Sequence, residues 1–297
     1  MLTPRESYVN AGRIASDVLK YASEAVVEGM KVEDLCESIE EKIRIKGGQP
    51  AFPCNVSQNA EAAHYSASPK DSRTIERGAI VKVDIGVHVD GYIADTAVTV
   101  NFNSSLSDMV LANKAILTDA LRTIRKDIGV GAVGEVVETE AKRRGYRPIV
   151  NLAGHQLDRY VIHAGISIPN DIEKVDAVFR MDAAYAIEPF LVRASASGWV
   201  ANGPPGNIYR LISRKRRGDS RINEAVDFIW KNFRSLPFSS RWFVREMGPN
   251  STSLLQELLE KKIVMIYPVL VEASGAPVSQ FEHTVYVGEN ETIITTI

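Results

Sequence analysis

The chain of 297 residues repeats itself, and that repetition limits its fold more than any single segment does. In the first half, a long helical pattern opens at Thr3-Pro4. It is followed by "EGMKVEDLCESIEEKIRIKGGQP", which reads as a second helix over residues 32–46, stopped by Gly47-Gly48. In the second half, a helical pattern over 111–128 is followed by "IGVGAVGEVVETEAKRRGYRP", a shorter helix over 133–144 ended by Gly145. Two apolar strands then follow in each half. "AIVKVDIG" matches "AAYAIEPF", and "IADTAVTV" matches "QFEHTVYV", and each carries one acid: Asp84, Glu188, Asp95 and Glu282. Two similar units in the same order predict an α+β fold of two halves about an approximate two-fold axis. The four carboxylates should meet at its centre.

Local signals fill in the frame. Thr3 with Glu6 three residues on is a capping-box pattern, with Pro4 in the first turn. Strands are predicted over 51–58, 80–87, 92–100, 149–153, 183–190 and 280–287. Residues 88–91, His-Val-Asp-Gly, turn the second of these into the third. A four-residue loop there would set Asp84 directly opposite Asp95. A two-residue Asp-Gly loop would make them diagonal neighbours on the same face. Residues 193–262 differ in character, with the basic run Arg214-Lys215-Arg216-Arg217 and helical patterns over 220–232 and 251–261. They read as an inserted helical subdomain, leaving 1–192 and 263–297 as the main body.

Directly opposed side chains on paired strands lie roughly 4.5–5.5 Å apart at Cβ, and like charges there are destabilising. Asp84 and Asp95 therefore need a divalent cation or a shared proton between them. Their neighbours Ile80, Val81, Val83, Ile85, Ile93, Ala94, Ala97 and Val98 are too apolar for a wet sheet face. Glu188, Glu282 and His155 in "NLAGHQLDRYVIH" complete a set of oxygen donors with one imidazole. That set suits Mn, Co, Fe or Zn rather than a thiolate-bound structural zinc. Four carboxylates are too many for one catalytic ion. Two-metal sites hold their ions roughly 3.5–4 Å apart. Of the five histidines, His64 and His163 remain near apolar segments, His88 is expected to face solvent in the turn, and His283 should point away from Glu282.

Five stretches carry a resemblance: "AFPCNVSQNAEAAHYSA", "VKVDIGVHVDGYIADTAVTV", "NLAGHQLDRYVIHAG", "AIEPF" and "QFEHTVYV". Together they resemble the type II methionine aminopeptidases of the pita-bread fold. The resemblance implies a curved central antiparallel sheet covered by helices, with the insertion at 193–262. It also implies cleavage of an N-terminal methionine from peptides and nascent proteins, by attack of a water that bridges two divalent ions. On that pattern Asp84 holds one metal, Asp95 and Glu282 bridge both, and His155 and Glu188 hold the other. Glu188 also handles the proton of the water, and His64 and His163 contact the substrate beside the scissile peptide. Phe52, Ile162, Phe190 and Tyr267 line the methionine pocket.

Composition restricts the other readings. A hydrophobic fraction of 45% with 24% charged residues is that of a globular protein, and a net charge of −2 argues against nucleic-acid or membrane binding by charge alone. Two cysteines make no disulfide framework, and Cys36 in its helical pattern is expected to be buried. No apolar run approaches the ~20 residues that span a bilayer, and Met1 to Glu6 lack a signal-peptide core. The expectation is a reduced cytoplasmic monomer acting on peptide and nascent-chain N-termini, without stable nucleic-acid binding. Transient ribosome contact through Arg214–Arg217 is kept as a reading for the active enzyme. Three competing readings remain: an Xaa-Pro peptidase of the same fold, an inactive ribosome- or RNA-binding relative, and a hydrolase whose acid pair shares protons in place of metals.

Overall fold

The computed structural model of the chain describes residues 2–215 and 219–297. The first half runs α1 (Pro4–Ala25), α2 (Val32–Ile45), β1 (Gln49–Gln58), β2 (Glu61–Ala63), β3 (Ile80–Val89) and β4 (Tyr92–Asn101). The second half begins α3 (Ser107–Leu121), α4 (Gly131–Arg143), β5 (Tyr146–Pro148), β6 (Ala153–Leu157), β7 (Ser167–Pro169), β8 (Ala183–Ile187) and β9 (Phe190–Arg193). After β10 (Val200–Leu211) come α5 (Ser220–Phe233), β11 (Phe238–Ser239), α6 (Ser240–Met247) and α7 (Ser251–Glu260). The chain closes with β12 (Val264–Glu272), β13 (Ser279–Gln280), β14 (His283–Val287) and β15 (Thr292–Ile294).

The expected repetition is visible in the strand order. The first half pairs β1-β3-β4, and the second pairs β6-β8-β14 within a larger sheet, all antiparallel. Each half has its own core. Ile14 and Val18 of α1 and Leu35 and Ile39 of α2 pack on Val83 and Ile85 of β3. Ile116 and Leu117 of α3 and Val133 and Val137 of α4 pack against Tyr185 and Val285. Helices therefore cover one face of each sheet. The capping box at Thr3 forms in full, with Thr3 Oγ1 accepting from the Glu6 amide and Glu6 from that of Thr3.

The halves are joined where β4 meets residues 280–284. Ala97 and Glu282 exchange backbone hydrogen bonds of 3.3 and 3.1 Å. Thr96 donates its hydroxyl to the Glu282 carbonyl at 2.7 Å, and Thr99 donates to that of Gln280 at 2.6 Å. Thr284 accepts the Asp95 amide at 2.7 Å and donates back to the Asp95 carbonyl at 2.8 Å. The seam thus fixes the backbone on which two of the acids stand.

Several elements differ from expectation. The apolar period over 111–128 continues through Ile124, but α3 starts earlier and stops at Leu121. Beyond it, the Asp127 amide bonds Phe179 and the Val130 amide bonds Ala177, so tertiary pairing takes the backbone out of the helix. The strand expected at 149–153 falls instead almost wholly in the turn between two short strands, β5 and β6, which belong to different sheets. Residues 193–262 are not helical throughout. β10 spans twelve of them and pairs with β12 outside the segment. The helices α5, α6 and α7 bury Ile222, Ile229, Phe243, Leu254 and Leu258 in a third core.

That helical unit is fastened to α2 by a buried ion pair. Arg241 on α6 reaches the fully buried Glu40 carboxylate with two nitrogens, at 2.7 and 3.1 Å, and also pairs with Glu37. Glu40 further accepts the Trp242 indole N–H at 2.7 Å and the Cys54 amide at 3.1 Å. Cys36 is buried beside this cluster, as expected. A buried pair costs most when only one partner is removed. Arg241→Met should therefore lower stability in urea unfolding by about 3–5 kcal/mol. The double variant Glu40→Met/Arg241→Met should lose less than the sum of the two single variants, because each single change leaves a buried charge unpaired. Additive losses would show that the pair is not the source.

Candidate active site

Asp84 and Asp95 stand on adjacent strands of a hairpin with a two-residue turn, Asp90-Gly91. Both turn residues have positive φ, 52° and 89°, as the tight turns between twisted strands require. The register pairs Asp84 with Ala97 and Asp95 with Gly86, so the two acids are diagonal neighbours. Gly86 has a steric reason. A Cβ there would lie 2.3 Å from the Phe52 ring, so only glycine lets Phe52 fold over this part of the hairpin.

In the second half both acids stand where a strand breaks, in place of the unbroken strands expected over 183–190 and 280–287. Glu188 lies between β8 and β9, and Glu282 between β13 and β14. Pro189 has no N–H to give a ladder, and the Glu282 backbone pairs with Ala97 of β4 across the seam. The pairs Ile187–His283 and Phe190–Gln280 keep one register across the gap, which sets Glu188 level with Glu282. The break lets the two glutamates turn inward while the strands on either side stay in their sheets.

His155 comes from β6, beside Ala186 of β8. Its Nε2 lies 3.7 Å from Asp95 Oδ2 and 3.5 Å from Glu188 Oε1. Ligand atoms of Asp95, His155 and Glu282 all lie within 4.8 Å of one another, and all three residues are buried. Burial holds the Asp84 carboxyl up at about 7. Burial first, then the other acids, pushes Asp95 and Glu282 well above the usual carboxylate range, and Glu188 follows through burial and Asp84. Burial, with His163 beside it, lowers His155 to about 3, so its imidazole is neutral. Asp84 Oδ1, Asp95 Oδ1 and His155 Nδ1 are buried without a hydrogen-bond partner. Crowded acids, a neutral imidazole and orphaned donor atoms fit divalent metal in chemistry and number of ligands.

These five residues line one cavity of about 170 Å³ together with His64, His163, Phe52, Ile162, Phe190 and Tyr267. The structure thus brings together every residue expected at the site. His64 has φ 68°, uncommon for a residue with a side chain, and its ring meets Tyr267 edge-on at 5.4 Å. Burial lowers it to about 4. The His163 ring lies 4.4 Å from that of His155 and is also lowered, through partial burial and then the charge of Arg210.

Sequence reading missed part of the lining. Asn55 faces Asp84 across the β1–β3 ladder, and Ile208, Leu270 and Pro237 come from β10, β12 and the segment before β11. The β-prone residues in "NIYRLI" could have revealed β10. Gln280, outside that lining, had no such signal, yet its side chain is buried beside Asp84. The remaining candidates lie elsewhere. His88 is half-buried, accepts the Gly91 amide and packs on Tyr160, correcting the solvent-facing expectation. His283 points away, its Nδ1 bonded to Thr296. Of the basic run, Arg216 and Arg217 lie outside the described residues, and Arg214 sits over the Trp230 ring at 3.9 Å.

The model of metallopeptidase family M24 matches residues 6–289. The chain is 40% identical over 290 residues to a methionine aminopeptidase of Saccharolobus solfataricus, covering 96% of this chain and 95% of that one. Among solved structures, the fold is similar to a thermophilic Arx1 (TM-score 0.80, 18% identity, 97% of this chain and 89% of that one). It is also similar to the methionine aminopeptidase of Thermotoga maritima (TM-score 0.69, 20% identity, 99% and 98%).

The raised carboxyls have a measurable consequence. Without metal, the folded site binds more protons than the unfolded chain from about pH 4, where free carboxyls titrate, up to about 7 at Asp84. Stability from this cluster is therefore lost as pH rises through that window. Metal needs the ionised ligands, so adding Mn²⁺ to the metal-free protein at pH 7 should release about one proton or more per protein. An unbuffered pH-stat titration reads this directly, and Asp84→Asn should release fewer. No release would mean that the acids are already ionised.

Proposed function

This chain belongs to metallopeptidase family M24, and we infer that it is a methionine aminopeptidase of the pita-bread fold. It is a metal-dependent hydrolase that removes methionine from the N-termini of peptides and new protein chains. The observation that carries this reading is likeness to relatives of that name along nearly the whole of both chains. The cavity supports it. An acidic, metal-suited floor adjoins apolar walls that fit one unbranched thioether side chain.

We propose the following division of labour. Asp84 would hold one divalent ion, Asp95 and Glu282 both, and His155 and Glu188 the other; Co, Mn, Fe and Zn all suit such donors. When bound, the ions would acidify a water and polarise the scissile carbonyl. Glu188 takes the proton of the attacking water on its carboxylate and passes it to the leaving amine. His64 and His163, neutral at pH 7, each offer one ring N–H to the oxygen on which negative charge develops. Phe52, Ile162, Phe190 and Tyr267 hold the methionine side chain. Segment 193–262 shapes the pocket through Ile208 and Pro237, which line the cavity.

Chelated and re-metallated protein should release free methionine from Met-Ala-Ser in the presence of Mn²⁺ or Co²⁺, and cleave Ala-Pro and Met-Pro poorly. Preferential Xaa-Pro cleavage would keep the metals and move the substrate class. Glu282→Ala or Asp95→Ala should remove most turnover even at saturating metal. His163→Ala should lower kcat about 100- to 1,000-fold, the cost of one transition-state donor, with metal content unchanged. Loss of metal in that variant would make His163 a ligand instead.

A further inference from the structure

Arg210 stands on β10 two residues beyond Ile208, so both side chains leave the same face of the strand. Ile208 is buried and lines the cavity. Arg210 is only half-buried, one step toward solvent, and is not part of the lining. Its cross-strand neighbour is Met265, next but one to Tyr267 of the cavity wall, and its Nη2 lies 3.4 Å from the Met265 sulfur. Among the described residues it makes no ion pair, and its Nε is buried with no hydrogen-bond partner. A guanidinium has five N–H donors in a fork that matches a carboxylate. Among the described residues, a weak contact to the Met265 sulfur is the only hydrogen bond its guanidinium makes.

The position of this cation limits what it serves. Its charge reaches His163 and Tyr267, both of the cavity lining. It sits at the rim, beside the groups that face the scissile peptide. A substrate whose first side chain fills the apolar pocket sends the rest of its chain past that rim.

Resting on the aminopeptidase reading, we propose that Arg210 is a substrate-binding residue that takes a carboxylate on the leaving part of the peptide and sets a preference for acidic substrates just beyond the scissile bond. Two carboxylates could supply the charge: the C-terminus of a short peptide, or an acidic side chain following the second residue.

Two substrate pairs separate them. One is Met-Ala-Ser with a free C-terminus against its C-terminal amide. The other is Met-Ala-Glu amide against Met-Ala-Gln amide. In one pair or the other, wild-type enzyme loaded with Mn²⁺ should favour the acid by about tenfold in kcat/KM, mostly through KM, as expected of a charge-assisted bidentate pair. The pair that shows it names the source. Arg210→Gln should bring that ratio near one by lowering kcat/KM on the acidic member of the pair more than on the neutral one. Arg210→Lys should restore part of the preference. Equal rates within both wild-type pairs, or a preference that survives Arg210→Gln, would overturn the assignment. Wild-type enzyme that frees methionine from none of the four peptides would bring down the aminopeptidase reading and this one with it, an outcome distinct from activity without acid preference.

Discussion

Four carboxylates gathered in a largely buried cavity repel one another and lose much of their hydration, and each effect alone favours the neutral acid. Asp84, Asp95, Glu188 and Glu282 are held in that condition by backbone that has no freedom to splay. The constraint comes from the seam. Thr96, Thr99 and Thr284 spend their hydroxyls on the carbonyls and amides of the opposing half, and the Ala97–Glu282 exchange closes the ladder between them. Much of the rest of the fold serves to hold that seam. The helices of each half press their own sheet from outside, and neither half places more than two of the acids.

The same constraint explains why the two halves solve one problem in two ways. In the first, a regular hairpin suffices, because a tight turn puts two aspartates on one face with short side chains. In the second, longer glutamates approach from strands that must also pair elsewhere. Unbroken strands would leave the glutamate backbones bound in the ladder. Pro189 on one strand, and the diversion of Glu282 to Ala97 on the other, free both positions while the register survives on either side. The repeat conserves the topology and varies the local backbone according to the reach of the acid it carries.

Much of this was legible in the sequence because the signals were periodic or chemical. The repeated helix–helix–strand–strand order fixed the two halves, and five residues with the right donor atoms marked the floor of the cavity. What was hidden depended on partners far along the chain. Pro189 in "AIEPF" is a local sign that the strand breaks beside Glu188, but nothing local says that the break sets Glu188 level with Glu282, nearly a hundred residues on. The helical period through Ile124 is real, and that residue is buried in the core while Ile128 is exposed, but hydrogen bonds to 177–179 replace the helix there. β10 was lost because its glycines and prolines, Gly203-Pro204-Pro205-Gly206, read as loop. They occupy the irregular stretch of its pairing with β12, where the register shifts.

The site is also one in which charge is kept away from the bases. His64, His155 and His163 all have lowered pKa values, with removal from water as the leading cause in each. A protonated imidazole beside the acids would compete with a metal ion for their charge. A neutral one can still donate a single hydrogen bond, which is what an oxygen gaining negative charge requires. His64 reaches its place at the cost of a left-handed backbone, on the order of 1–3 kcal/mol for such conformations. It is kept there by the Tyr267 ring and by the β2–β12 ladder just before it. Strain held in this way by surrounding packing is informative about function, because a residue with no task at that position could relax into an ordinary turn.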